Sequence, residues 1–286
     1  MMVQKAKHLY AELDKKKPAC EGVEYAIFEK YDGWYGYIDL DGTDKAWIMS
    51  RADRAIPSLV ELSRQLRGAA PKDLVGRLIF EITIPSIPDF STLNGVLNRS
   101  KAPCQADGVV LKCHDFIEAN NLILLERTVR LYDVLKAINL DWVQEATIHG
   151  YGSYTDVQAF AEEVWARGGE GAIGKAINEP YHAGKRDFSL IKVKEDVDAD
   201  LLVCGMVAGK GKYSDTLGAL VCRDKANNKH TISGMTDEQR YQWWSNPEAI
   251  LGKVVEIKAM KKLNDGQYRE PRFKAVRFDK TVADID

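Results

Sequence analysis

The chain is poor in cysteine and has no cysteine motif. Its 286 residues include five cysteines (Cys20, Cys104, Cys113, Cys204 and Cys222), and none forms a C-x-x-C pair. That spacing argues against a zinc ribbon and against a disulfide framework, and it fits a reducing cytoplasm. No run of about 18 apolar residues occurs, so no membrane-spanning helix is expected. The opening segment, MMVQKAKHLYAELDKKK, lacks an apolar core and a cleavage signature, so no secretory signal is expected. The five histidines are scattered and form no H-E-x-x-H. No internal repeat or low-complexity tract is present, and no amphipathic dimer face stands out, so a monomer is expected. The net charge is only −2, which by itself does not announce a nucleic-acid partner. What these absences leave is an ordinary globular composition, 45% hydrophobic and 29% charged, in a chain long enough for two cores.

Charge is small in sum but uneven in place. Residues 251–280 carry nine basic side chains (Lys253, Lys258, Lys261, Lys262, Arg269, Arg272, Lys274, Arg277 and Lys280) against four acids. A local basic excess is the footprint of phosphate binding, although a solvated hairpin face would show the same bias. Residues 195–200 are the opposite, four acids in six.

The hydrophobic pattern divides the chain near residue 197. Before it, residues 23–29 alternate, with Val23, Tyr25 and Ile27 on one face and Ala26 and Phe28 on the other, which predicts a strand. A hairpin is expected over 36–49 and a helix from Pro57 to about residue 67. Strands are expected at 78–84, 109–116, 171–177 and 189–194, and helices at 127–138 and 156–167. The second helix reads as capped by Thr155 and Gln158 and stopped by Gly168-Gly169. Beyond the acidic run come short strands at 201–207, 217–222, 230–232, 254–260 and 272–278. One helix over 237–244, capped by Thr236 and Gln239, interrupts them. Five short strands and a helix in about 90 residues have the size of an OB-fold barrel.

Lys30-Tyr31-Asp32-Gly33 closes the first of these strands. A lysine fixed at a strand end beside glycine suits a nucleophile, provided the rest of the chain supplies a phosphate site. Lys192 and Lys194 stand two apart on a strand and so share a face. Two like charges together call for an anion between them, unless they only guard an edge strand, and their field favours the neutral, attacking form of Lys30. Glu81 lies inside an apolar run, where a lone charge is costly, and Glu170 opens GEGAIGK. Either could simply pair with a lysine; together they offer oxygen ligands to Mg²⁺.

These residues, taken in order, resemble the ATP-dependent polynucleotide ligases of the covalent nucleotidyltransferase superfamily, most of all the minimal, phage-type DNA ligases. The K-x-D-G motif is Lys30 to Gly33, and the E-G-x-x-x-K strand is Glu170 to Lys175. A Y-x-x-G-K-R segment runs from Tyr181 to Arg186, followed by the paired lysines. The closing R-x-P-R-F and R-x-D-K elements are Arg269 to Phe273 and Arg277 to Lys280. Ser50-Arg51 is similar to the family's adenylate-contacting arginine segment. Three positions depart from the pattern. Tyr35 stands where an arginine is usual, the D-G-E motif is reduced to Ile79-Phe80-Glu81, and the base-stacking aromatic falls on His114, with Phe116 as the alternative.

The resemblance implies an α+β, two-domain chain. A nucleotidyltransferase (ATP-grasp-like adenylation) domain over 1–197 is followed by an OB-fold β-barrel over 198–286. It implies ATP as the nucleotide, Mg²⁺ as the metal with Mn²⁺ as a substitute, and nicked duplex DNA as the partner. The implied setting is the cytoplasm, a host's if the chain is phage-encoded, with roles in DNA repair, replication and recombination. Lys30 is the AMP-accepting nucleophile, with Asp32, Lys192, Lys194, Arg277, Asp279 and Lys280 in the catalytic set. Arg51, Glu81, His114 and Glu170 join Lys30, Lys192 and Lys194 around ATP, and Glu81 and Glu170 take the metal. Lys185, Arg186, Lys261 and Lys262 are the DNA-binding candidates. The second domain is expected to close and swing on a hinge near residues 195–200. An RNA ligase or a GTP-using capping enzyme of the same superfamily is one competing reading. An inactive nucleotidyltransferase-like nucleic-acid-binding protein is the other.

Overall fold

The structure, a computed structural model, describes residues 2–13, 18–42, 46–87, 90–101, 105–262 and 265–286. Cys104 and the middle of the expected 36–49 hairpin turn lie outside those residues. Two units separate, Met1–Lys194 and Glu195–Asp286.

The first unit holds two five-stranded sheets. One has the order β1 (Lys7–His8), β10 (Leu190–Lys194), β9 (Gly171–Ala176), β2 (Tyr25–Glu29), β8 (Ile148–Gly152). The other has the order β4 (Met49–Ser50), β3 (Trp34–Leu40), β5 (Gly76–Thr83), β6 (Val110–Ile117), β7 (Val143–Glu145). The helices are α1 (Tyr10–Leu13), α2 (Val60–Ala69), α3 (Phe90–Leu97), α4 (Leu124–Ile138) and α5 (Tyr154–Ala166).

The alternation of β2 is real, and both of its faces are buried. Tyr25 and Ile27 pack with Val157 and Ala161 of α5 and with Ile191 and Val193 of β10. Ala26 and Phe28 pack the other way, on Leu124, Ala146 and Ile177. On β5, Leu78, Phe80 and Ile82 enter the core with Leu66, Leu111, Leu131 and Val134, while Ile79 faces the opposite side beside Tyr37. Period two then puts Glu81 on Ile79's side, away from the core.

Strand β6 breaks that period. Asp115 pairs with Ile79 and Cys113 with Phe80, leaving His114 as the extra residue of a β-bulge. The bulge rephases the strand, so Phe116 pairs with Leu78 and turns into the core, fully buried under Arg130. Phe116 is therefore excluded as the base-stacking alternative.

Helix α5 begins two residues earlier than its sequence suggests. Ser153, not Thr155, is the N-cap, and its backbone N–H donates to Asp156 Oδ2 at 2.7 Å. Both S/T-x-x-D/E/Q registers are present in SYTDVQ, and the carboxylate accepts the more strongly. The glycine stop behaves as expected. Gly168 has φ 82°, its N–H donates to Trp165 O at 2.8 Å, and that of Gly169 donates to Val164 O at 2.9 Å.

The second unit is a barrel with the sheet order β13 (Lys229–Ile232), β12 (Leu217–Arg223), β11 (Val197–Ala208), β14 (Val254–Ala259), β17 (Arg272–Val276). Phe273 N donates to Ser233 O at 2.7 Å and brings the ends together. Helix α6 (Asp237–Ser245) has the expected capping box, in which Gln239 N donates to Thr236 Oγ1 at 3.1 Å and Thr236 N to Gln239 Oε1 at 2.9 Å. Its Trp243 packs edge-on against Phe273. A small hairpin, β15 (Lys261–Lys262) with β16 (Tyr268–Arg269), stands beside the barrel sheet.

The acidic run is not a free linker. Val197 to Asp200 are the first residues of β11 and pair with β14 in unbroken register. Asp196 meets Lys258 at 3.4 Å, Asp198 meets Lys274 at 3.9 Å, and Asp200 takes Arg277 at 3.4 Å together with Lys280. Four of the nine basic residues of 251–280 are thus matched by acids distant in sequence but adjacent in the sheet. Among the described residues no helix is long and apolar enough to cross a membrane.

Candidate active site

Lys30 follows β2, and its backbone N–H donates to Gly171 O at 2.9 Å, which ties the strand end to the start of β9. Its Nζ donates to Glu170 Oε2 at 2.6 Å. Gly171 makes this possible, because its φ is 141° and a Cβ there would stand 2.1 Å from Val193 O. Gly33 is needed for closeness rather than for φ. A Cβ on it would lie 2.6 Å from Ile82 O and 2.7 Å from Glu81 Cγ. The K-x-D-G glycine therefore lets the Glu81 side chain lie against the backbone beyond Lys30.

Lys30, Arg51, Glu81, His114, Arg186 and Lys192 all line one cleft of about 220 Å³ in the first unit. Burial pushes the Glu81 carboxyl from its ordinary 4.5 up to about 7; Lys30 and Arg51 pull it down, while Glu170 and Asp32 add to the rise. Burial, then Lys194 and Lys30, draw Lys192 down to about 8. This is the signature of clustered cations. Lys194, the second of the pair, is buried one strand period on and does not line the cleft. Asp32 stands at its margin, felt by Glu81.

Arg51 sits on a tight turn where Ser50 N donates to Arg54 O at 2.8 Å and Asp53 adopts φ 55°. Its guanidinium lies 5.0 Å from the centroid of Tyr35. Tyr35, at the family's arginine position, thus carries an arginine that arrives from another turn. Burial raises the Tyr35 hydroxyl well above the ordinary phenol range.

His114 also faces the cleft, aimed there by its bulge. Beside it lies a buried polar group absent from the sequence-based site: Lys175 of β9, Asp115 of β6 and Arg127 of α4. Arg127 Nε donates to Asp115 Oδ1 at 2.8 Å, and its Nη1 donates to Leu122 O at 2.7 Å. Burial pushes Asp115 up, but Lys175 and Arg127 outweigh it and hold the carboxyl below its ordinary value. The sequence also gave no sign that the N-terminal segment lines the cleft. Gln4 N donates to the Tyr181 hydroxyl at 2.8 Å, and Lys5 N to Lys185 O at 2.9 Å, so Gln4 and Lys5 form one wall. Only the parallel pairing of β1 with β10 could have revealed this, and β1 is two residues long.

The remaining candidates belong to the second unit. Arg277 is bound to Asp279 at 2.7 Å, which holds the Asp279 carboxyl at about 2, and both Arg277 and Lys280 pair with Asp200. Lys261 and Lys262 stand on the small hairpin, with Lys262 Nζ 5.1 Å from the centroid of Tyr268. Among the described residues, no three His, Cys, Asp or Glu side chains converge as a metal site. A cation would here find the Glu81 and Glu170 carboxylates, a donor set suited to an oxygen-liganded ion that shares its shell with phosphate.

Comparison with known proteins agrees with this geometry. Residues 1–194 match the family model for an ATP dependent DNA ligase domain, and residues 208–277 match that for a DNA ligase OB-like domain. "DNA ligase 1" of Korarchaeum cryptofilum is 27% identical over 288 residues, covering 88% of this chain and 51% of the relative. "Probable DNA ligase" of Anaeromyxobacter sp. is 38% identical over 93 residues, covering 30% of this chain and 18% of the relative. The chain thus spans about half or less of these relatives' own lengths. A solved Lig E DNA ligase, described as binding DNA with a minimal scaffold, superposes with a TM-score of 0.77 at 23% identity, covering 97% of this chain and 99% of that one. At that identity the likeness is one of fold.

Proposed function

The chain belongs to the ATP-dependent DNA ligase family, and on that premise we propose that it seals 5′-phosphate/3′-hydroxyl nicks in duplex DNA through a Lys30–AMP intermediate. The observation that carries this is Lys30, paired with Glu170 and lining a cleft together with Lys192, Arg51 and Glu81.

ATP enters with its phosphates among Lys30, Arg51 and Lys192. Lys30 must lose a proton before its nitrogen attacks, and Glu170 Oε2 at 2.6 Å is placed to accept it. The Nζ–Pα bond forms as the bond from Pα to pyrophosphate breaks. AMP then passes to the 5′-phosphate of the nick, freeing Lys30. The 3′-hydroxyl attacks that activated phosphate, and AMP leaves. Lys192 and Arg51 neutralise charge that builds on the phosphate oxygens, so the work is chiefly positioning and electrostatics. The family uses a divalent metal; Glu81 and Glu170 would hold Mg²⁺, which supplies further charge neutralisation when bound. Lys194, Asp32, Arg277, Asp279 and Lys280 complete the proposed catalytic set, and Lys185, Arg186, Lys261 and Lys262 the DNA contacts.

Incubation with α-labelled ATP and Mg²⁺, followed by a denaturing gel and then a nicked duplex, tests the reading. The label should join the wild-type chain, be absent from Lys30→Ala, and discharge as sealed DNA. Label that forms but does not seal nicked DNA would move the substrate to RNA.

A further inference from the structure

Lys175 Nζ has three polar neighbours: His114 O at 2.6 Å, His114 Nδ1 at 3.0 Å and Asp115 Oδ2 at 3.2 Å. A lysine ammonium has three protons to donate and nothing with which to accept. The carbonyl and carboxylate oxygens can only accept, and the Asp115 carboxylate opposes the fall that burial imposes on Lys175, so an ammonium there spends its third proton on Nδ1 of His114, which offers it a lone pair. A neutral imidazole with a bare Nδ1 carries its proton on Nε2. Asp115 and Arg127 fix the ammonium in turn, with Arg127 reaching Asp115 at 2.8 Å and 3.4 Å and the backbone oxygens of Leu122 and Glu179 at 2.7 Å and 3.3 Å. The backbone contact to His114 O adds a second hold on the bulge itself.

We propose that Lys175 is a positioning residue that holds His114 as the neutral Nε2–H tautomer, so that a flat, uncharged ring with one outward donor lines the cleft where the adenine base binds. The base role of the ring rests on the ligase reading; the tautomer does not. The charged and titratable groups facing the ring are Lys175, Asp115 and Arg51, with Tyr35 at 6.4 Å between centroids. Burial first, then Lys175, keep the ring from taking a second proton and bring it down to about 3, against the smaller pull of Asp115. A freely titrating imidazole would become a cation in mildly acid solution and lose both its neutrality and its single donor. The lysine removes that option, and this gives a physical account of how histidine can serve at a position the family fills with an aromatic ring.

The test is a long-range ¹H–¹⁵N correlation on ¹⁵N-histidine protein without nucleotide, with the His114 peaks identified by their loss in His114→Phe. The expected pattern is a protonated Nε2 and a bare Nδ1, unchanged from about pH 8 to about pH 5. A protonated Nδ1, or a ring that gains a second proton in that range, overturns the proposal. In Lys175→Met the ring should titrate or mix tautomers, and the KM for ATP in self-adenylation should rise about tenfold with kcat within about twofold. Lys175→Met should add nothing further in a His114→Phe background. Additive effects in the two backgrounds would also overturn it. Failure of the wild-type chain to take up AMP, with the Nε2–H pattern intact, would instead remove the ligase reading.

Discussion

At Gly33 a single methyl group would meet Ile82 O at 2.6 Å and Glu81 Cγ at 2.7 Å. Backbone cannot yield as a long side chain can, so Gly33→Ala must move β3 away from β5 or displace Glu81. A cost of about 1–3 kcal/mol in stability is expected from overpacking, read from denaturant melts. Self-adenylation should fall further, about a hundredfold, because Lys30 and Glu81 lose their register. Glu81 itself makes a pH prediction. Its carboxyl is raised in the folded chain, so its favourable contribution is present below the unfolded value of about 4.5 and is lost as pH rises through about 7. Without nucleotide or metal, Glu81→Gln should therefore match the wild type near pH 5 and melt about 2–4 °C higher near pH 8.5. An equal difference at both pH values would show that Glu81 is not the group responsible. At this scale the sequence was most informative where a motif names a residue: Lys30, Glu81, Glu170 and Lys192. It named Lys175 only as the last residue of the E-G-x-x-x-K motif and was silent on Asp115 and Arg127, because the contacts that join them reach across 12 positions from β6 to α4 and 60 from β6 to β9.

Among the elements, legibility followed length and period. β2 shows its alternation and β5 its apolar run, α5 its apolar face and α6 its cap. β1 and β4, at two residues each, have no period to read, yet one seats Gln4 and Lys5 and the other presents Arg51. The bulge in β6 leaves no local mark either, since it consists of a pairing with β5 shifted by one residue. The start of α5 reads in the sequence as a Thr155 and Gln158 cap, whereas Ser153 and Asp156 form it, and substitution separates the two. Asp156→Ala should lower the melting temperature by about 2–4 °C, while Gln158→Ala should leave it unchanged. The reverse order would restore the Thr155 cap.

For the whole molecule, local charge counting follows the chain and not the sheet. Four of the nine basic residues of 251–280 pair with the acidic run of 195–200 across β11, β14 and β17. DNA contact should then depend on basic residues outside that pairing. Lys261→Ala should lower the slope of log affinity against log salt for a nicked duplex by about one, whereas Lys258→Ala, whose partner is Asp196, should leave it nearly unchanged. Lys280→Ala should slow self-adenylation more than sealing of a pre-adenylated nick, and equal losses in the two assays would remove it from the first step. The same pairing has a consequence for handling the protein. A protease specific for acidic residues meets four sites between 195 and 200, but a chain held in a sheet does not enter a protease active site. Brief digestion should nick at Glu195 or Asp196 and spare Asp198 and Asp200, so the released carboxy-terminal fragment should begin with its first strand intact.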